Sequence, residues 1–202
     1  MKNLRDRIIV FGLLPFFVFG CSLADRINKE VSKNKTPQTL NSTDNNIQIT
    51  VPGNWQKRTD LHDDAELQAA NLMGEQYVII LRESKADFGK AFNLDSLTKI
   101  ARDNLKTAAK DTFFTEPVAV KINGYDAKQF EAGGEIENIK IKYLYAIVET
   151  PNNYYQIITW TMNSRFEKNK GILSEVIYSF KEIGSGNSVS PANFNTNLNI
   201  KN

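Results

Sequence analysis

Asn123-Gly124 lies between two extended runs, 117–122 and 125–132, and this dipeptide constrains the chain more than any other. Both central positions of a two-residue hairpin need positive φ, which Asn and Gly tolerate and bulky residues do not. The flanking runs are therefore predicted to pair antiparallel. Residues 136–150 and 154–162 are the longest strand candidates, joined by Pro151-Asn152-Asn153. Residues 67–72 and 77–82 bracket Gly74-Glu75 as a further hairpin. Ile47, Ile49 and Val51 alternate with Gln48 and Thr50, a half-buried strand that Pro52-Gly53 ends before Trp55 returns to the core. Tyr77-Val78-Ile79-Ile80-Leu81 is apolar on both faces and predicts a central strand covered on each side. Gly133-Gly134 reads as another turn or bulge, and Lys140 and Lys142, alternating with Ile139 and Ile141, as a solvent face.

Two stretches carry helical spacing instead. Asn93 or Asp95 can cap a helix running to about Lys110, with Leu94, Leu97, Ile100, Ala101, Leu105 and Ala108 on one stripe. Ser164 and Glu167 have the spacing of a capping box for a helix over 165–179, whose apolar stripe is Phe166, Leu173, Val176, Ile177 and Phe180. Strands joined by tight turns, with two helices among them, predict an α+β domain: an antiparallel β-sheet packed against helices over 47–183.

The N-terminus carries an address. Lys2, Arg5 and Arg7 precede an uncharged apolar stretch, 8–19, that is shorter than the roughly 20 residues a membrane span needs. Val18-Phe19-Gly20-Cys21 closes it with the chain's only cysteine. This resembles the bacterial lipoprotein signal, with Phe19 standing where that pattern prefers a smaller residue. The resemblance implies cleavage before Cys21 and acylation of its thiol, a covalent lipid in place of any cofactor. Three acyl chains would hold the protein on a bilayer, since two already anchor stably. Ser22 lacks the acidic character that retains such proteins at the inner membrane, so the expected location is the bacterial cell envelope, at the outer membrane facing the periplasm. Residues 22–46 are polar and read as a tether whose ends average about 25–30 Å apart, and 184–202 as a disordered tail.

Charge excludes one class of partner. Without residues 1–21, which hold Lys2, Arg5, Arg7 and Asp6, the chain's 25 basic and 23 acidic residues become 22 of each. A nucleic-acid binder carries a basic excess on one face. With the cysteine consumed by lipid and a single histidine, the Ser-His and Cys-His arrangements of nucleophilic catalysis have only His62 to draw on.

The opening strand ending Val51-Pro52-Gly53-Asn54-Trp55, the middle helix and the Asn-Gly-Tyr hairpin look like the PsbP-like domain. Tyr155-Gln156-Ile157-Ile158-Thr159-Trp160, followed by a helix ending Ser179-Phe180, fits the same pattern. That fold is shared by the extrinsic P subunit of photosystem II, a Ran-binding import factor and many bacterial lipoproteins. The resemblance implies a fold and brings no site residues with it.

Two groups of residues are candidates for function. Tyr143, Tyr145, Tyr154, Tyr155 and Trp160 crowd the two longest strands, as either sheet core or an aromatic face for an envelope protein partner. Asp60, His62, Asp63 and Asp64 form either a solvated acidic loop or a divalent-metal site, which would make this a ligand-binding domain or weak hydrolase. The first alternatives lead to a membrane-anchored, non-catalytic accessory domain.

Overall fold

Residues 36–183 are described by the structure, a computed structural model. Its strands are β1 (Gln38–Asn41), β2 (Ile47–Val51), β3 (Gln56–Lys57), β4 (Leu67–Asn71) and β5 (Gln76–Ser84), then β6 (Lys110–Phe114), β7 (Val118–Ile122), β8 (Tyr125–Ile136), β9 (Ile139–Glu149), β10 (Asn153–Met162) and β11 (Lys181–Glu182). Helix α1 (Leu94–Ala108) follows β5, and α2 (Phe166–Tyr178) follows β10. The large sheet runs β3-β4-β5-β10-β9-β8-β6, with β7 also paired to β8, and a small sheet runs β1-β2-β11. Every pairing is antiparallel. The fold class is α+β, as the sequence predicts.

Period-two alternation divides the core. Tyr155 and Ile157 of β10 face one cluster, with Ile47, Ile49 and Val51 of β2 and Phe166, Leu173 and Ile177 of α2. Tyr154, Ile158 and Trp160 face the other, with Leu97, Ala101 and Leu105 of α1. β5 and β10 contribute residues to both clusters, so neither strand has a solvent side over its middle, which is why Tyr77-Val78-Ile79-Ile80-Leu81 reads as a continuous apolar run. Each fully buried Leu, Ile or Phe stabilises this arrangement by about 1.5–3 kcal/mol.

Helix α1 begins where its sequence says. Asn93 Oδ1 accepts from the Ser96 amide at 3.0 Å, satisfying one orphan donor of the first turn. The helix ends at Ala108, two residues short of Lys110, because the chain turns extended and pairs with β8 as β6.

Three expectations are corrected. The tether does not reach residue 46: Gln38–Asn41 form β1, which pairs with β2 and buries part of Leu40 against the core. Of the turn or bulge expected at Gly133-Gly134, the turn is corrected: both lie inside β8, and the irregularity is a register shift in the facing β6, where Asp111 takes φ 48°. The turn comes later, at Glu137-Asn138, with φ 50° and 66°. The capping box does not form, since a 3₁₀ turn over Asn163–Arg165 leads into α2 and Glu167 pairs with Lys142 instead. The expected signal segment, Cys21 and the 184–202 tail lie outside the described residues.

Candidate functional site

The aromatic group belongs to the core. Tyr143, Tyr145, Tyr154, Tyr155 and Trp160 are all less than 5% exposed, so the reading of them as a partner face is corrected. Tyr143 and Tyr145 pack beneath α1 with Phe130, whose ring stacks on Tyr145 at 4.9 Å. Burial pushes both hydroxyls above the ordinary phenol range, so both stay protonated near neutral pH. Tyr154 donates to the Phe92 carbonyl at 3.2 Å, and Tyr155 to Glu182 Oε1 at 2.8 Å.

The acidic loop does not assemble a metal site. Asp60 is engaged by Arg58, whose Nε reaches Oδ1 at 2.8 Å while Nη2 takes Oδ2. Those bonds hold the Asp60 carboxyl below its usual range. His62 Nδ1 accepts from the Asp64 amide at 3.2 Å. Burial lowers its pKa by more than Asp64 and Asp63 raise it, so the ring is neutral at pH 7. Among the described residues no three His, Cys, Asp or Glu side chains are arranged to hold a metal ion. The loop is pinned from inside by Gln68, buried in β4, which accepts from the amides of Leu61 and His62 and donates to the His62 carbonyl. Gln68 was legible only as a polar residue interrupting an apolar strand.

Among the described residues, a cleft of about 170 Å³ opens at the β6 edge of the sheet. Its floor is Gly134 and Ile141; Phe113 forms one side, with Asp111, Glu135, Lys140 and Asn163 around it. Gly133 has no side chain because a Cβ there would overlap the Phe113 ring, and a Cβ on Gly134 would stand 2.8 Å from that of Ala109. The two glycines thus let β6 and its phenyl ring lie close on β8. Phe113 remains 44% exposed, a large apolar surface on an edge strand.

Behind that ring lies a charged cluster. Lys142 Nζ is 3.0 Å from Glu131 and 3.0 Å from Glu167, and Lys170 Nζ is 2.5 Å from Glu131. The same ammonium stands 4.2 Å from the Phe166 ring centre and 5.8 Å from that of Phe113. Lys142 is therefore largely covered, correcting its place on a solvent face; Lys140 is exposed as expected. Burial alone would raise the Glu131 carboxyl, but hydrogen bonds from Lys170 and Lys142 outweigh it and hold the pKa below its ordinary value. A depressed folded-state pKa contributes stability fully above the unfolded value near 4.5, and that contribution is lost as pH falls through the folded value. Glu131→Gln is expected to flatten the acid limb of the stability curve below that pH. Urea denaturation across the acid range checks it, and superimposable limbs for the two proteins would refute the coupling.

No protein-family model matches the chain, and no curated protein matches its sequence. Solved structures do match in fold. Cyanobacterial PsbP (CyanoP) from Synechocystis superposes with a TM-score of 0.58 at 10% identity, covering 82% of this chain and 99% of that one. LpqN of Mycobacterium tuberculosis, described as involved in cell envelope biogenesis, gives 0.54 at 11% identity over 80% of this chain and 97% of its own. The Ran-binding protein Mog1p of Saccharomyces cerevisiae gives 0.52 at 9% identity over 73% and 96%. The chain has the PsbP-like fold, as its strand-end and turn motifs imply.

Proposed function

We propose that this protein is an acylated envelope lipoprotein, held on the periplasmic side of the outer membrane through Cys21. Its PsbP-like domain is a non-catalytic accessory module that binds an envelope protein at the β6 cleft. The observation that carries this reading is Phe113, an exposed ring on an edge strand beside an open cleft, where aromatic anchors are favoured in interfaces. The chemistry of the described residues supports binding over catalysis: the sole histidine is tied into its own loop, and the buried tyrosines sit in the core. Two fold neighbours point the same way, one named for binding Ran and one for envelope biogenesis. Covalent lipid is the only prosthetic group in this reading, and the balanced charge of the chain after Cys21 fits a protein partner better than nucleic acid.

A photo-crosslinking amino acid placed at Phe113 in the living cell tests the site. The expected result is one discrete crosslinked species, absent when the same group replaces Lys99, whose side chain is 78% exposed on α1. Equal, diffuse crosslinking from both positions would overturn the assignment of the cleft.

A further inference from the structure

The turn between β4 and β5 presents two adjacent apolar side chains to solvent, Leu72 at 51% and Met73 at 55% exposure. A loop tip ordinarily carries small polar residues. This one is also held rigidly, by a hydrogen-bonded chain of buried side chains. Asn71 Oδ1 accepts from the Gly74 amide at 3.1 Å, and Asn71 Nδ2 donates to Gln76 Oε1 at 3.0 Å. Gln76 Nε2 donates to Asn169 Oδ1 at 3.0 Å, and Asn169 Nδ2 to Thr161 Oγ1 at 3.1 Å. All four side chains are less than 9% exposed. Glu75, next in the turn, pairs with Arg165 at 3.1 Å. A polar relay from the core of α2 therefore fixes a tip that presents two apolar side chains to solvent.

The chain's path places this tip beside the N-terminal connection. Gln38, the first residue of β1, donates to the Trp55 carbonyl at 2.6 Å. Gln56, the next residue, pairs with Ala70 at the end of β4 that leads into the tip. The chain thus enters the domain through β1 of the small sheet, next to the β3–β4 edge of the large sheet, whose β4 leads into Leu72 and Met73. Because β1 begins at Gln38, 17 residue steps separate Cys21 from the domain's first strand, a reach of at most about 60 Å.

We infer that Leu72 and Met73 form a membrane-seating finger, which inserts into the interfacial layer of the bilayer that holds Cys21 and turns the β6 cleft to a fixed angle above it. This inference rests on the lipid-anchor reading. Side chains of this kind enter the boundary between headgroups and acyl chains without spanning the membrane.

The test uses the full acylated chain, reconstituted into phosphatidylethanolamine–phosphatidylglycerol vesicles, with an environment-sensitive fluorophore on Met73→Cys. Leu72→Cys serves as a second insertion site and Lys99→Cys as the aqueous control. The expected result is blue-shifted emission at both tip positions, with most of it quenched by brominated acyl chains, and neither effect at Lys99. Mass spectrometry of the N-terminus reports the anchor independently. An acylated chain whose tip probes behave like Lys99 overturns the finger and leaves the anchor standing, and a chain without acyl groups overturns both. Quenching at all three positions would show indiscriminate sinking and overturn the finger. A tip response that needs another envelope protein, and is absent in pure lipid, would replace the membrane with a protein as the tip's partner.

Discussion

Alanine at Phe166 is expected to cost about 3–5 kcal/mol, the range for deleting a buried aromatic from a packed core. The ring is 0% exposed and opens α2 against the cluster that contains Ile47, Ile49, Tyr155 and Leu173. It also lies under Lys142, 4.2 Å from the ring centre. Truncation therefore removes apolar burial and exposes a covered ammonium to a cavity, while leaving that ammonium its two carboxylates. Against a typical total of 5–15 kcal/mol, such a loss leaves a marginal domain. Phe113→Ala is the internal control, because that ring is already 44% exposed and its loss is expected to cost under about 1 kcal/mol. Urea denaturation of both variants decides the matter. Equal costs would mean that α2 does not close this face of the sheet.

The difference between those two phenylalanines was only partly legible in the sequence. Helical spacing put Phe166 on the buried stripe, and the structure agrees. Phe113 had no such mark, because β6 follows α1 after one residue and its pairing is set by β8. Signals that act locally were readable. Asn123-Gly124 turns the chain with φ 49° and 87°, Asn93 caps α1, and β5 is apolar on both faces. Signals supplied by distant partners were not. β1 exists because β2 offers it an edge, and a stretch with Leu40 as its one aliphatic residue carries little strand signature of its own. Gly133-Gly134 resembles a turn in sequence, yet what requires it is the close approach of Phe113 and Ala109. Glu137-Asn138 is the true turn, and a glutamate at positive φ carries no hairpin signature. Glu167 fits a capping box until Lys142, distant in sequence, takes its carboxylate.

The same limit applied to the site. Tyr and Trp are enriched in interfaces and also fill cores, so composition could not separate the two for Tyr143, Tyr145, Tyr154, Tyr155 and Trp160; burial does. Asp60, Asp63 and Asp64 near His62 satisfied a ligand inventory, and geometry spends Asp60 on Arg58. The Leu72–Met73 tip was hidden inside a plausible hairpin, because its meaning depends on Asn169, which joins it only through folding.

That dependence makes Asn169 the second large effect. Asn169→Ala removes the acceptor of Gln76 Nε2 and the donor to Thr161 Oγ1, both in buried surroundings. A buried polar group left without a partner costs about 1–3 kcal/mol, and two sharing one cavity are expected to cost about 2–4 kcal/mol together. Asn169→Leu restores volume but not hydrogen bonds, so it should recover only part of the loss. Pairing it with Gln76→Met removes polar demand on both sides of that link, and the double variant is expected to be more stable than the two single costs predict. The readout that separates a relay from simple packing is amide exchange at Gly74, whose N–H is bonded to Asn71 at the far end of the chain. If the relay holds the tip, Asn169→Ala accelerates exchange there ahead of global unfolding, while the amides of α1, which packs on the opposite face of the sheet, keep their protection. Unchanged exchange at Gly74, or strictly additive costs in the cycle, would mean that Asn169 stabilises α2 alone and that the tip is free of it.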